Sequence, residues 1–410
     1  MNLIGEIANY DSRTVLLYVA IIAASTLCAL LSQSGLRRTV TNGGIISLRR
    51  KFRPIPYIAS FLILAFFAST TSVGVDRETY GILFEDIDWG TVGNGQEIGF
   101  NVFMLIVKLF TDDPAVFCGI FAFATVAMMF KGLYDCRDDL SLGLAVFIYA
   151  SQYYFQSYNL MRIYFALGIL VAGVGLLKRK KYFVYFIVMI VAFSFHYSVI
   201  FAIAAYIIGL IYIKSKSLSL GMHALWTGAA VCCAFVFLIA TGDMLAEIDI
   251  PFFDRYSGYL SNINLSSIGF MWLAQSIPMI AALYFFRGFK DEYNYRRLAL
   301  AFFFVHILIS ILSYSVPVIG RALTVLSFPY LIFYPYVTEK YRKASYVECN
   351  ENNDAAKGFR YERVTMKRLY YCAILLAAVY FVGMALIYFA QYIELDGLDN
   401  FRFIWENYLW

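Results

Sequence analysis

Charge is scarce in this chain of 410 residues, of which only 15% are charged, 61% are hydrophobic and 19% are aromatic. Soluble domains average about a quarter charged residues, so this composition argues against a water-soluble enzyme. Long uncharged runs recur from residue 14 to residue 390. The chain is therefore predicted to be a polytopic membrane protein.

Two further features are missing from the sequence. There is no Cys-x-x-Cys pair and no Cys/His spacing typical of a metal site. The N-terminus lacks the basic region, apolar core and small-residue cleavage site of a removable signal peptide. We therefore expect the first apolar run to act as the targeting signal.

Twelve uncharged runs approach the roughly 20 apolar residues that a transmembrane helix needs. They cover residues 14–34, 54–75, 114–130, 141–161, 163–177, 182–195, 197–213, 219–242, 267–286, 298–316, 322–337 and 369–390. The sixth and seventh runs are short, and a re-entrant hairpin is the alternative for that pair. Residues 98–111 carry Lys108 and predict an amphipathic helix that lies on the membrane or dips into it.

The predicted fold class is an all-α polytopic integral membrane protein, with about 12 transmembrane helices plus a short outer-face amphipathic helix in one transmembrane domain, residues 1–410. Alternate connections give a charge of +16 on one face and −11 on the other. The basic face is predicted to be cytoplasmic, which puts both termini outside. It also predicts outer-face loops at 76–113 and 243–266 and a mobile cytoplasmic loop at 338–368. No cysteine falls in an outer loop, so no disulfide framework is expected.

The centres of the predicted spans carry no Asp, Glu, Lys or Arg. Ion-coupled transporters usually hold ionisable groups near the bilayer midplane, so this pattern argues against that class. His306 is the one strongly polar titratable residue at mid-depth, and it is predicted to hydrogen-bond a neighbouring helix. The remaining polar groups sit at the outer edge, which favours a site that opens to the outer face.

Few arginines lie on the predicted outer face, against the charge bias that sets the topology. Arg162 and Arg321 stand at span junctions, Arg255 lies in the loop 243–266, and Arg77 begins the acidic loop 76–97. A guanidinium fork suits phosphate or carboxylate oxygens, so the two junction arginines are the leading candidates for function. The alternatives are ion pairs to outer carboxylates or contacts with lipid headgroups.

Histidine and acidic residues supply the other candidates. His196 ends a span on the outer face and could take a proton from a hydroxyl near neutral pH, or could simply hydrogen-bond a carbonyl at a helix break. The loop 76–97 combines acids with Trp89 and Tyr80, a surface suited to carbohydrate. The spacing of Asp86 and Asp88 would also suit a cation, and a solvated acidic loop that enforces topology is the remaining interpretation.

The order of these features resembles the Wzy/EpsG-type bacterial polysaccharide polymerases, integral membrane glycosyltransferases that assemble O-antigen of lipopolysaccharide, capsule or exopolysaccharide. The resemblance covers about residues 70–390, and each motif is one to four residues long. Its carriers are Asp76 and Tyr80, Glu97-Ile-Gly-Phe, Arg162 with Phe165-Ala166, Lys-Arg-Lys-Lys at 178–181, His196-Tyr-Ser198, Arg255-Tyr256 and Arg321.

This resemblance implies a GT-C-like membrane glycosyltransferase at the outer face of the bacterial cytoplasmic (inner) membrane. Its donor would be a glycan on undecaprenyl pyrophosphate, and its acceptor a lipid-linked oligosaccharide repeat unit. The acceptor hydroxyl would attack the donor's anomeric carbon and release undecaprenyl pyrophosphate. Arg162 and Arg321 would stabilise the leaving charge, with Arg255 assisting.

The resemblance leaves the general base open. His196 is the first candidate, but it becomes a further pyrophosphate contact if Glu97 or Asp76 is the base. Arg77, Tyr80 and Tyr256 join the predicted substrate-binding set. The resemblance implies no metal and no cofactor. The expected partners are membrane lipid and a polysaccharide chain-length regulator, and nucleic acid is not among them.

Two other functions remain as alternatives. An O-antigen ligase-like enzyme uses the same donor but typically presents one large outer domain, and the longest outer segment here, 76–113, is modest. A lipid-linked oligosaccharide flippase or other transporter would need a charged cavity within the bilayer, which the charge-free span centres do not predict.

Overall fold

The computed structural model describes residues 12–40, 46–90, 92, 96–215, 222, 225–226, 228–229, 271–286, 294–313, 320–345, 355–398 and 401–405. The helices in chain order are α1 (Ser12–Ser32), α2 (Pro54–Thr70), α3 (Arg77–Asp86), α4 (Ile98–Lys108), α5 (Pro114–Asp135), α6 (Leu142–Tyr149), α7 (Met161–Ala172), α8 (Val174–Lys178), α9 (Tyr182–Phe193), α10 (Val199–Lys214), α11 (Met271–Phe285), α12 (Tyr295–Leu312), α13 (Arg321–Leu326), α14 (Pro329–Ser345) and α15 (Ala355–Gln391). The described part of the chain is thus mainly α-helical, as the predicted fold class requires.

The predicted apolar runs overlap these helices, apart from 219–242, of which the structure describes only a few positions. Three of the runs, 141–161, 163–177 and 322–337, are each divided between two or more elements. In the described part of the chain, four helices are long and apolar enough to cross a membrane: Arg13–Ser32, Pro114–Asp135, Met161–Lys178 and Val364–Gln391. Five shorter apolar helices accompany them. The chain is therefore a membrane protein, and the number of spans stays a prediction.

The connections hold more regular structure than the hydropathy pattern predicts. Two basic strands, β1 (Gly35–Val40) and β2 (Ile46–Lys51), pair antiparallel between α1 and α2. The predicted outer loop 76–97 contains α3, and the predicted loop 338–368 is helical at both ends, through α14 and α15. Residues 346–354 in the middle of that loop lie outside the described residues.

Helices α5 and α7 pack closely side by side, and α5 also packs on α2, which packs on α1. Gly132 permits the closest approach, since a Cβ at this position would collide with the carbonyl of Val171. In a lipid environment the hydrophobic effect does not drive helices together, so their association depends on close packing. Small residues at the interface allow that packing. The glycine therefore fixes how α7 sits on α5.

Buried tyrosines tie the helices together through backbone carbonyls. The hydroxyls of Tyr57 and Tyr154 donate to the carbonyls of Phe130 (2.6 Å) and Leu64 (2.7 Å). Tyr18 donates to Leu398 at 2.9 Å, which holds the chain beyond α15 against α1. Burying a hydroxyl without a hydrogen-bond partner costs free energy, and these bonds avoid that cost. Some of the many tyrosines therefore stabilise the packing of the helices.

One helix changes its winding near the candidate site. After α6 the chain continues through a π-helical turn, Ala150–Tyr154, and a 3₁₀ turn, Gln156–Tyr158. Such turns shift the register of the side chains and often occur at functional sites. Here they place Gln152 and Gln156 in the wall of a cavity that is described below.

Ion pairs interlock the end of the bundle that the sequence predicts to be cytoplasmic; we call it the basic end. Glu339 is 2% exposed and accepts two bonds from Arg342 (2.8 and 2.6 Å) and an ion pair from Arg50 (3.1 Å). Asp139 pairs with Lys178 at 2.8 Å and with Lys343 at 3.5 Å. These contacts join β2, the α5–α6 connection, α8 and α14.

At the opposite end, which we call the Arg162 end, α3 and α4 form a small unit on α5. Lys108, the last residue of α4, donates to the carbonyls of Phe84 (3.2 Å), Glu85 (2.7 Å) and Ile87 (3.0 Å). A cation is favourable at these carbonyls, which have no partner within α3. The exposed face of α4 is apolar, with Ile98, Val102 and Ile106, which fits the predicted position at the membrane boundary.

We expect Lys108→Met to lower the thermal unfolding midpoint of the purified protein in detergent. The variant keeps the apolar stem but removes three hydrogen bonds from one charged group, at a cost of about 1.5–3 kcal/mol. Lys181→Met is the control, because Lys181 is an exposed lysine. An equal midpoint in both variants would show that the Lys108 bonds do not stabilise the fold.

Candidate functional site

Arg162, the second residue of α7, lies at the centre of a buried polar cluster. Its Nη1 donates to the carboxylate of Glu97 and to the amide oxygen of Gln96. The side chains of Arg162 and Glu97 are only 12% and 4% exposed. In such a dry setting each charge needs the other, so the pair fixes the start of α7 against the segment that leads into α4.

Two rings enclose the guanidinium. Its central carbon lies 5.7 Å from the ring centroid of Tyr80 and 5.4 Å from that of Phe100, within the range of cation–π attraction. Burial raises the pKa of Tyr80, and the neighbouring Arg162 partly offsets that rise. The predicted set Tyr80, Glu97 and Arg162 is therefore brought together.

His196 lies close to this cluster along the backbone. The amide of Gly99 donates to the carbonyl of Ser194 at 2.7 Å, and a Cβ at Gly99 would collide with Ser194. Gly99 is two residues from Glu97, and Ser194 is two residues from His196. The glycine thus allows the start of α4 to touch the turn between α9 and α10, where His196 sits.

The hydrogen bonds of His196 indicate which nitrogen can act. The backbone amide of Ser198 donates to Nδ1 at 3.2 Å, and the Ser198 hydroxyl is 2.7 Å from the same atom. A backbone amide can only donate, so Nδ1 is the acceptor and the neutral ring carries its proton on Nε2. Nε2 is then a hydrogen-bond donor, which favours contact with an anion over proton abstraction.

Arg321 is the first residue of α13, and α13 packs against α7 and α10. Its side chain is exposed, and among the described residues it makes no ion pair. Thr324, one turn further along α13, lies within hydrogen-bonding reach of Tyr164 on α7. Arg321 and Arg162 therefore begin two neighbouring helices at the same end of the bundle.

Asp76 and Arg77 face the interior more than the solvent. The backbone amide of Asp76 donates a hydrogen bond to the side-chain oxygen of Asn159 at 2.8 Å. Arg77 is 9% exposed, and its Nη2 has no hydrogen-bond partner in the described ranges. Burial lowers the pKa of Arg77. The structure thus places both close to the chain before α7, with Arg77 largely withdrawn from the surface.

The remaining predicted residues add little to this site. Asp88 closes a turn by accepting from the amide of Gly90 at 2.7 Å. No group of three metal-ligating side chains occurs in the described segments. Arg255 and Tyr256 lie outside the described residues.

A cavity of about 150 Å³, lined by both polar and apolar side chains, lies on the opposite face of α7 from the Glu97–Arg162 pair. Tyr164 lines it, two residues and therefore about 200° around the helix from Arg162. Its other polar walls include Gln152, Gln156, His306, Thr324 and Ser327. The sequence alone does not reveal this cavity, although the run of polar and aromatic residues at 151–162 is a signal of it. The sequence predicts that His306 hydrogen-bonds a neighbouring helix, but its Nδ1 has no hydrogen-bond partner among the described residues.

The Glu97–Arg162 pair predicts a measurable coupling. Arg162→Met alone leaves a buried carboxylate unpaired and is expected to cost about 3–5 kcal/mol in unfolding free energy. Combining it with Glu97→Gln should recover at least about 1 kcal/mol. Unfolding of the four proteins in mixed detergent micelles measures the coupling.

Arg402→Met combined with Glu97→Gln is the matched control, because Arg402 is an exposed arginine whose carbonyl accepts from the amide of Ser72, shortly before α3 at the same end of the bundle. The effects of that pair should add. Additive effects of the Arg162 and Glu97 substitutions would contradict a direct interaction.

Comparison with known proteins gives one family. No curated protein and no solved structure matches the chain. The model of the EpsG family matches residues 55–348, well over half of the sequence, and this span includes Glu97, Arg162, His196 and Arg321. The chain belongs to the EpsG family.

Proposed function

We propose that this membrane protein is a polysaccharide polymerase that joins undecaprenyl-pyrophosphate-linked oligosaccharide repeat units at the outer face of the bacterial cytoplasmic membrane. The EpsG match over residues 55–348 is the observation that carries the proposal. The two arginines that begin neighbouring helices support it, because a pyrophosphate leaving group needs fixed cations.

In the proposed reaction, an acceptor hydroxyl attacks the anomeric carbon of the donor's reducing-end sugar. A new glycosidic C–O bond forms, and the bond from that carbon to the pyrophosphate oxygen breaks. The bonding electrons leave with undecaprenyl pyrophosphate. Glu97 takes the proton of the acceptor hydroxyl and passes it to water.

The arginines have different roles in this proposal. Arg321 is exposed and has no ion pair among the described residues, so its guanidinium is available to the pyrophosphate. Arg162 interacts with both the pyrophosphate and Glu97. As its guanidinium turns towards the pyrophosphate, its hydrogen bond to the Glu97 carboxylate weakens. His196 donates from Nε2 to a phosphate oxygen. Cationic groups suffice for the neutralisation, so the proposal requires no metal.

The test of the function is a glycan ladder gel. The gene is deleted in its host, and wild type, Arg162→Ala, Arg321→Ala or Arg402→Ala is returned at matched expression. Loss of either site arginine should lower polymerisation by a factor of about 10²–10³ and leave a single repeat unit on the gel. The Arg402 variant should restore the full ladder, because that arginine is exposed and lies outside the cluster.

The other outcomes separate the alternatives. Loss of all attached glycan, with no single repeat remaining, would indicate an O-antigen ligase-like enzyme or a flippase. A full ladder in the deletion strain would contradict the proposed function altogether.

The tautomer of His196 predicts how its variants differ. Gln places an amide nitrogen near the position of Nε2 and can donate but cannot act as a base. We expect His196→Gln to keep at least about a tenth of the polymerisation rate and His196→Ala to lose about 100-fold. Rates are measured with lipid-linked repeat units in membranes between pH 5 and pH 8. Equal loss in both variants would instead assign the base to His196.

A further inference from the structure

The cavity on the far side of α7 is lined by residues of α13, the helix that Arg321 begins. Thr324 in its wall is one turn along α13 from Arg321, a distance of about 4.5 Å along the helix axis. Tyr164, about 3 Å along α7 from Arg162, lines the cavity next to Thr324. A molecule whose anionic group binds Arg321 could therefore extend into this cavity.

The cavity wall offers hydrogen bonds but no charge. Its polar side chains are amides, hydroxyls and one imidazole, and no Asp, Glu, Lys or Arg is among its lining residues in the described part of the chain. Hydrogen bonds within the protein orient several of these side chains. Tyr164 donates to the amide oxygen of Gln156, and Gln152 donates to the carbonyl of Phe381 at 2.9 Å. Rings of Tyr330, Tyr380 and Phe381 complete the wall.

His306 is the residue that the fold alone does not explain. It is 3% exposed and lines the cavity, and its Nδ1 finds no hydrogen-bond partner among the residues described. Leaving such a buried group unsatisfied costs about 1–3 kcal/mol. Buried polar groups without a protein partner commonly bind a ligand or water, and His306 lines a space that is large enough for more than one water.

We propose that this cavity binds an uncharged sugar ring, namely the reducing-end sugar of the donor, whose pyrophosphate is held by Arg321. The proposal rests on the polymerase function proposed above. Amides and hydroxyls match the hydroxyl groups of a neutral sugar, and aromatic rings match its apolar face. A charged sugar would have to be desolvated without a counter-charge, so the cavity selects uncharged sugars at this position.

Saturation-transfer NMR on the full-length protein in lipid nanodiscs tests the cavity. The probes are methyl glycosides of uncharged hexoses and N-acetylhexosamines, with glucuronic acid, glucosamine and glycerol as comparisons. We expect saturable binding of at least one uncharged glycoside and binding at least about tenfold weaker for the charged sugars. His306→Phe, which fills the space, and Thr324→Val should each weaken the uncharged glycoside about tenfold.

Tyr149→Phe is the control variant, because Tyr149 is buried nearby on α6 and is not among the lining residues. It should bind like wild type. The cavity proposal is overturned if no uncharged glycoside binds saturably, if charged sugars or glycerol bind equally well, or if His306→Phe and Thr324→Val both bind like wild type.

A second arm tests the connection to Arg321 with the 1-phosphate of the bound sugar. The phosphate should bind at least about tenfold more tightly than the methyl glycoside, and Arg321→Ala should remove this advantage without weakening the methyl glycoside. Persistence of the advantage in that variant would contradict the assignment to the reducing-end sugar.

The two proposals fail in different ways. Sugar binding in the cavity together with an intact ladder in the deletion strain would contradict the polymerase, and with it the assignment of the bound ring to a donor. A ladder that depends on Arg321, together with no binding in the cavity, would contradict the cavity proposal alone.

Discussion

The buried ion pair between Glu97 and Arg162 is the interaction on which the arrangement of the site depends. Neither charge is tolerable alone at this depth, because separating a buried pair leaves an unsolvated charge. The pair therefore holds the start of α7 to the segment before α4, which Gly99 in turn holds to the turn that contains His196. The same contact orients Arg162 between Tyr80 and Phe100. One ion pair thus sets the position of most of the candidate site.

The sequence was informative about helices because hydrocarbon imposes a simple rule on the chain. A segment within a bilayer must satisfy its own backbone and can carry little charge, so uncharged runs such as 114–130 and 369–390 mark helices α5 and α15 directly. The same rule explains why the charged residues that matter, Arg162 and Arg321, stand at helix starts. The length of an apolar run is less informative about topology, because the length of a short helix such as α9 or α10 does not show whether that helix crosses the membrane.

What the sequence could not supply is pairing between distant residues. Lys108 looked like a charge on an amphipathic helix, but it caps α3 across the α3–α4 connection. His306 looked like a structural histidine, and only the π-helical turn after α6 reveals the polar space beside it. A hydropathy profile does not record a change of helical register. A segment that passes from apolar to polar residues has the same profile whether its amide side chains face lipid, protein or a cavity.

The two ends of the bundle differ in a way that bears on mechanism. Transporters that alternate their access rock one group of helices against another around a central site, which requires contacts at each end that can open. At the basic end, Glu339 is bound by Arg50 and Arg342, and Asp139 by Lys178 and Lys343, so that four separate elements are joined by buried or partly buried charges. Opening that end would expose or separate all of them. The exposed Arg321 and the uncharged cavity lie towards the other end. This asymmetry favours a site that is loaded and emptied from one side, as a polymerase of lipid-linked units requires and a flippase does not.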